Sequence, residues 1–175
     1  MAPSRREVTQ NAWVVTDLEA AAKAWSETLG IGPFFMGTYP ASLFEDMTYR
    51  GAPGELTMKT AIAYSGDLQI ELIEPLGDAP NAYRDVYPAG ESGFHHVCFW
   101  SDDLDADLAA YAASGAATVN AGRMRGGPRF AYVDTRAQFG CMTELLEPHP
   151  HVVEMFAGWR QRAKDWDGED AIVRL

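Results

Sequence analysis

The chain repeats itself, and no other feature limits its possible folds as much. With Gln10 placed on His96, 86 residues later, Asp17 falls on Asp103, Leu18 on Leu104, Ala20 on Ala106 and Trp25 on Tyr111. QNAWVVTDLEAAAKAW and HVCFWSDDLDADLAAY therefore read as two versions of one unit. Each is a strand, an Asp placed to cap a helix N-terminus, and an alanine-rich helix that ends near a glycine, Gly30 or Gly115. A second match, ELIEP at 71–75 against ELLEP at 144–148, comes at an offset of 73, so the first copy carries about thirteen additional residues before its last strand. They fall within GPFFMGTYPASLFEDMTYRGAPGE, residues 32–55, which is rich in Gly, Pro and aromatic side chains.

Each copy reads as strand, helix, then strands, which is an α+β pattern. In the first copy the helix spans 17–30 and the strands 7–16, 57–65 and 68–75, with a short strand near 33–37. In the second the helix spans 103–115 and the strands 94–101, 117–122, 129–135 and 141–148. This gives one domain over residues 1–175: module one at about 7–75, a linker at 76–93 with the Pro and Gly punctuation of a loop, and module two at about 94–148. The tail, 150–175, reads as an amphipathic helix with Val152, Met155, Phe156 and Trp159 on one face, placed to pack on the core or against a second subunit.

At 47% hydrophobic and 22% charged residues, the 175-residue chain has the composition of a packed globule. A net charge of −11 and a pI near 4.7 turn it away from nucleic acid and anionic membranes, whose phosphates it repels. No run of roughly 18 apolar residues occurs, and MAPSRREV turns polar where a signal core would begin, so a soluble, cytoplasmic protein is expected. Cys98 and Cys141 sit inside expected strands at a spacing that matches no zinc or redox motif, and read as small buried hydrophobes.

In LQIELIEP, residues 68–75, Leu68, Ile70 and Leu72 alternate onto one face and Glu71 interrupts the run. Burying an unpaired carboxylate costs several kcal/mol. Glu71 must therefore reach water or hold something positive, and Glu144 of MTELLEP poses the same question. The repeat places polar residues at equivalent points, Gln10 and His96 on the first strands, Glu71 and Glu144 on the last. Two carboxylates, an imidazole and an amide oxygen in one cavity make a cage for a single divalent cation, with ligands at about 2.0–2.2 Å that suit zinc, cobalt, nickel, manganese or iron. Taken singly, Gln10 is a strand-start residue, His96 a hydrogen-bonded core histidine and each Glu a strand-edge charge. Their coincidence at symmetry-related positions outweighs those readings. His95 is expected to point away from His96, His149 and His151 to face solvent or cap the tail helix, and Glu74 and Glu147 to be solvated strand ends.

VTQNAWVVTDLEAAAKAWSETLGI, LQIELIEPLGDAP, GFHHVCFWSDDLDADLAAY and the closing ELLEP together resemble the vicinal oxygen chelate superfamily, over residues 7–148. That superfamily includes glyoxalase I, methylmalonyl-CoA epimerase, extradiol dioxygenases and bleomycin-resistance proteins. The resemblance implies two βαβββ modules forming a cupped, barrel-like mixed sheet around a metal, with Gln10, Glu71, His96 and Glu144 as its ligands. The layout is most similar to methylmalonyl-CoA epimerase, through IELIEPLGDAP with the loop into GFHHVCF and through RGGPRFAYVDTRAQFGCMTELLE. It implies proton abstraction next to a metal-chelated carbonyl, through an enediolate or enolate, with Glu144 or Glu55 as base and the other as acid. Glu55 enters because epimerases carry an acid at that distance before the strand-four ligand.

Two departures qualify that likeness. Gln10 stands where epimerases typically carry histidine, and the Gln, Glu, His, Glu set resembles some glyoxalase I enzymes. The 32–55 insertion is also longer than an epimerase's; its Phe34, Phe35, Tyr39, Phe44 and Tyr49 either wall a bulky or aromatic substrate or cover one end of the core. The alternatives are a lactoylglutathione lyase, with Arg50, Arg123, Arg125 and Arg129 available to clamp glutathione; an extradiol dioxygenase, whose site resembles two histidines and a glutamate; and a non-catalytic small-molecule binder. The partner expected is a small molecule with adjacent oxygens, and the resemblance implies a homodimer.

Overall fold

Both repeat helices begin where their caps stand. Asp17 Oδ1 accepts the Ala20 N–H at 2.9 Å and Asp103 Oδ1 accepts the Ala106 N–H at 3.0 Å, each satisfying a donor that the first helical turn leaves free. The first helix ends on Gly30 with φ 66°, a left-handed backbone that glycine adopts without strain. The computed structural model describes residues 6–175. In chain order its elements are β1 (Gln10–Val14), α1 (Leu18–Leu29), β2 (Phe34–Tyr39), a single 3-10 turn at Ala41–Leu43, β3 (Phe44–Tyr49), β4 (Ala52–Pro53), β5 (Met58–Ser65) and β6 (Leu68–Pro75). There follow α2 (Ala82–Val86), β7 (Gly93–Trp100), α3 (Leu104–Ala113), β8 (Thr118–Met124), β9 (Arg129–Val133), α4 (Arg136–Phe139), β10 (Met142–Leu146), α5 (Pro150–Lys164) and β11 (Ile172–Arg174).

The strands form one mixed sheet in the order β11-β2-β5-β6-β1-β7-β10-β9-β8-β3-β4. Each module contributes four strands in the same internal order, so the α+β class and the paired βαβββ pattern expected from the repeat are the fold found. β1 and β7 meet antiparallel at the centre, flanked by the parallel pairs β1/β6 and β7/β10. One face carries the two repeat helices: Leu18 and Ala22 of α1 pack on Ile70, Leu72, Ala61 and Ala63, and Leu104 of α3 packs on Ala131, Val133 and Leu145. Alternation sends Gln69 and Glu71 to the other face. The sheet curls so that this second face encloses a cavity lined from both modules.

The sequence reading is extended or corrected at the additions to the repeat. The 32–55 insertion does more than cover the core: it crosses to the second module, where β3 pairs antiparallel with β8 and Phe44 packs edge-on against Phe130 at 5.7 Å between ring centres. The linker holds α2, and the tail returns as β11, parallel to β2. Glu74 and Glu147 are half-buried and occupied rather than solvated: Glu74 Oε2 accepts the Leu18 N–H at the start of α1, and Glu147 Oε2 accepts the Arg129 N–H, each at 3.0 Å. His149 is the residue before α5 but makes no side-chain cap, while His151 is exposed.

The apolar face of α5, which the sequence also offered to a second subunit, is buried on the chain's own sheet. The Trp159 ring stacks on Phe35 at 4.8 Å with the planes 6° apart, and Phe156 sits beside it. Trp159 is only 8% exposed. Trp159→Ala is therefore expected to lower the unfolding free energy by about 3 kcal/mol, the usual cost of deleting a buried aromatic, read from the urea midpoint at an unchanged denaturant slope.

Candidate metal centre

Gln10, Glu71, His96 and Glu144 lie one each on β1, β6, β7 and β10, the four strands at the middle of the sheet. Register keeps their side chains on one face. Ala12 is level with both Glu71 and His96, while Gln10 is level with Gln69 and Cys98, and Glu144 with Cys98. Ala12 carries only a methyl group, which leaves the space above it to the longer side chains of its neighbours. All four residues are buried, His96 completely.

Their polar ends converge. His96 Nε2 is 3.0 Å from Glu144 Oε2, 3.8 Å from Glu71 Oε2 and 3.4 Å from Gln10 Oε1. The end of the Gln10 amide that faces the carboxylates is 3.2 Å from Glu144 Oε2 and 3.3 Å from Glu71 Oε2. Around a cation with bonds of about 2.1 Å, neighbouring ligand atoms fall roughly 3.0–3.5 Å apart. The spacing in this cluster is thus that of a coordination shell, and Glu71, His96 and Glu144 form a group able to hold a metal ion.

Hydrogen bonds behind the cluster decide which atoms offer lone pairs. The His95 ring lies 3.0 Å from Ala82 O through its Nε2, and a carbonyl oxygen only accepts, so that nitrogen carries the hydrogen. Burial, reinforced by His96, holds His95 down to about 3, so the ring is neutral at ordinary pH and its Nδ1 is an acceptor. His96 Nδ1–H donates to it at 2.9 Å, which leaves His96 Nε2 as a bare lone pair aimed at the two glutamates. The expectation that His95 points away from His96 is thereby corrected: the β1/β7 register shifts there, from Ala12 level with His96 to Trp13 level with Phe94, so His95 is an unpaired bulge residue and the simple alternation is broken. Gln10 is anchored in the same way, its Nε2 donating to Gln69 Oε1 while Gln69 Nε2 donates to Tyr64 OH at 2.8 Å. In that direction Gln10 presents Oε1 to the cluster; turned over, it presents its N–H₂ to the two glutamates. With Oε1 inward, His96 Nε2 and the oxygens of Gln10, Glu71 and Glu144 make a donor set that fits a divalent cation.

Above the cluster lies a cavity of about 90 Å³, lined by Gln10, Glu71 and Glu144 and walled by Tyr39, Phe44, Met58, Ile62, Phe130 and Met155 among others. Val152, Met155 and Phe156 of α5 close one side, so the tail helix belongs to the site. Of the insertion aromatics, Tyr39 and Phe44 reach the wall; Phe34 and Phe35 are core residues. Among the described residues, no lysine or arginine lines this cavity. Arg50 is bound to Asp85 at 2.7 Å, Arg125 to Glu45 at 3.3 Å, Arg129 to Asp105 and Glu147, and Arg123 to the Gly127 carbonyl, each outside the cavity lining. Glu55 is not brought to the cluster: it is exposed and lines a shallow surface groove with Tyr49, Pro53 and Pro80.

Sequence reasoning missed Gln69, Tyr64, His95 and the α5 wall. Gln69 faces inward two residues before Glu71, and strand alternation alone could have flagged it. Repeat matching could not, because Met142 stands at the equivalent point of the second copy.

A two-module curled sheet with an inward carboxylate–imidazole–amide cluster defines a class of metal-competent, small-molecule proteins. The sequence profile of the Glyoxalase/Bleomycin resistance protein/Dioxygenase superfamily matches residues 9–132, and the chain belongs to that superfamily. Its structure is similar to a hypothetical protein of Bacillus halodurans C-125, with a TM-score of 0.62 at 18% identity over 83% of this chain and 96% of the other. It is also similar to methylmalonyl-CoA epimerase of Mycobacterium tuberculosis, with a TM-score of 0.54 at 19% identity over 83% and 89%. A variant of Streptomyces coelicolor methylmalonyl-CoA epimerase in complex with 2-nitronate-propionyl-CoA gives 0.53 at 22% identity over 82% and 95%. At these identities the likeness is one of fold. A sequence search of curated proteins finds no match.

Two outcomes follow. Burial, then the neighbouring charge of Glu144, pushes the Glu71 carboxyl well above its usual range. In chelator-treated protein the folded state holds this proton more tightly than the unfolded chain does. The stability it contributes is full at low pH and is lost as pH rises through the raised pKa. Wild type should therefore lose melting temperature relative to Glu71→Gln as pH rises, and added zinc, which competes with the proton, should reverse that trend. Separately, His95→Leu removes the acceptor that fixes the His96 tautomer and should weaken zinc binding on the order of 10- to 100-fold by competition titration.

Proposed function

We propose that this chain is a divalent-metal-dependent isomerase of the epimerase type, one that removes and returns a proton at the carbon next to a carbonyl of a small substrate with adjacent oxygens. The observation that carries this reading is that Glu71 and Glu144, equivalent residues of the two modules, face one apolar cavity from either side of the sheet's centre beside His96 and Gln10. A cation of the zinc, cobalt, nickel, manganese or iron kind, held by Gln10, Glu71, His96 and Glu144, supplies the Lewis acidity that makes the neighbouring C–H acidic.

The side chains do the rest. Glu144 turns Oε2 to His96, and its second oxygen is the base. Glu71, on the opposite module, would hold the cation through one oxygen and leave the other as the second proton acceptor. Two carboxyls from opposite modules give a proton two places to go, which an epimerase requires because it returns hydrogen to the face opposite the one it left. Glu55, exposed and outside the cavity, has no part in this scheme. The apolar walls exclude water that would otherwise compete for the proton and screen the charges.

A cavity of about 90 Å³ takes the reacting head of a substrate, not a whole cofactor-sized molecule. Methylmalonyl-CoA epimerases among the structural neighbours have been crystallised with methylmalonyl-CoA or 2-nitronate-propionyl-CoA. Short branched acyl thioesters and 2-oxo acids with a small apolar side chain are accordingly the first substrates to try. The test incubates cation-loaded protein with these compounds in heavy water and follows deuterium at the alpha carbon by mass spectrometry. Glu144→Gln is expected to retain the cation and slow exchange at least about 100-fold. Exchange at the wild-type rate in that variant overturns the base assignment, and its absence from wild type with every compound overturns the proposed reaction.

A further inference from the structure

From the Gln10 amide a chain of buried polar groups runs back to two residues that the proposed reaction does not use, Gln69 and Tyr64: Gln10 Nε2 donates to Gln69 Oε1, and Gln69 Nε2 donates to Tyr64 OH. All three residues are buried. We propose that Gln69 and Tyr64 are positioning residues that set which end of the Gln10 amide faces the metal centre, and that the Gln10 and Gln69 amides turn over together between cation-loaded and cation-free protein. This rests on the metal reading of the site given above and adds how that site is held in each state.

An amide is the one neutral side-chain group that presents an acceptor at one end and a two-hydrogen donor at the other. In the first arrangement Gln10 turns Oε1 toward Glu71, Glu144 and His96, a set of lone pairs that calls for a cation. In the second it turns its N–H₂ to them, where the same end donates to Glu144 Oε2 at 3.2 Å and Glu71 Oε2 at 3.3 Å. Two hydrogen bonds to carboxylates then replace the missing positive charge. Gln10 cannot make that turn alone, because its oxygen would meet the oxygen of Gln69. Gln69 must turn with it, donating Nε2–H to Gln10 Oε1 and accepting at Oε1 from Tyr64 O–H. A phenol hydroxyl both donates and accepts, so Tyr64 terminates the chain correctly in either direction. Both states therefore leave no buried polar group of this chain unpaired, and each places the right end of Gln10 at the centre. A histidine in place of Gln10 would have no such second state with two donors.

The test measures zinc affinity by competition with a chromophoric chelator, for wild type, Gln69→Leu and Tyr64→Phe, each with and without Gln10→Ala. Gln69→Leu should weaken zinc binding about tenfold or more, the usual size of a loss behind a ligand, and Tyr64→Phe by a smaller factor. On the Gln10→Ala background both effects should vanish, because the positioned ligand is gone. In ¹⁵N-resolved spectra the side-chain NH₂ signals of Gln10 and Gln69 should both shift on zinc addition, and the Gln69 shift should be lost in Gln10→Ala. Wild-type zinc affinity in Gln69→Leu, or an equal loss with and without Gln10, overturns the proposal. If Gln69→Leu does not fold, Tyr64→Phe and the NMR shifts decide between the same two outcomes. Failure of wild type to bind zinc is a different result, which removes the metal reading itself and this proposal with it.

Discussion

The antiparallel pairing of β1 with β7 is the contact on which everything else in the molecule depends. It joins the two copies of the repeat strand to strand, so that the parallel neighbours β6 and β10 fall symmetrically on either side. Residues equivalent in sequence become neighbours in space. Because register partners share a face, one inward position on each of four strands is enough to build a four-sided cluster. The same pairing explains why Ala12 lies where it does: level with Glu71 on one side and His96 on the other, it sits under the cluster, and a longer side chain there would fill the space the ligands need.

Two carboxylates facing one another from the strands that flank the central pair are an expensive arrangement, since each loses hydration and each repels the other. Several groups around the pair give their hydrogens to partners away from it. His96 gives its hydrogen to His95, His95 gives its own to Ala82 O, and Gln10 gives its N–H₂ to Gln69. Tyr83 and Tyr132, joined through their hydroxyls at 2.8 Å, are pushed up by burial and stay neutral beside the glutamates. Neutral partners that accept or donate outward, rather than cations that would neutralise the glutamates directly, leave the negative potential focused on one point. The stretch 76–93 takes part in this. Its helix α2 carries both Ala82 and Tyr83, and Asn120 of β8 accepts the Ala82 N–H at 2.6 Å, so the linker is tied to the second module at the residue that fixes the His95 ring.

The repeat was legible because it is local in sequence and periodic: Asp17 and Asp103 at helix starts, and the alternation through Leu68, Ile70 and Leu72, each follow from chemistry within a few residues. The clustering of Gln10, Glu71, His96 and Glu144 was legible for the same reason, their positions being duplicated. What escaped depended on contacts between distant segments. Nothing in FEDMTY says that β3 will leave its own module to pair with β8, and IVR near the C-terminus carries no mark of the edge of β2 that it joins. The His95–His96 contact escaped because it follows from a shift in the β1/β7 register that leaves His95 unpaired, and such a bulge is set by the partner strand rather than by the residues of GFHHVCF. Glu55 shows the opposite failure: a likeness in spacing placed it near the centre, and the path of the insertion carries it to the surface.

These two kinds of feature divide the labour of the site. What is duplicated makes the Gln10–Glu71–His96–Glu144 cluster, and what is not duplicated makes its surroundings. Gln69 faces Met142 across the pseudo-symmetry, so only the Gln10 side of the cluster is held by an amide chain, and the His96 side is held instead by His95. The walls are likewise unequal: β3 and the residues around it close the cavity from the insertion, and Val152, Met155 and Phe156 close it from a helix beyond the residues matched by the superfamily profile. A cluster built from duplicated positions alone would present the same surface from either module. The added walls remove that equivalence, because Phe44 of β3 and Val152, Met155 and Phe156 of α5 give the cavity an apolar boundary with no counterpart in the repeat. In this chain, therefore, the polar cluster follows from the repeat, and the shape of the cavity above it from the segments that break it.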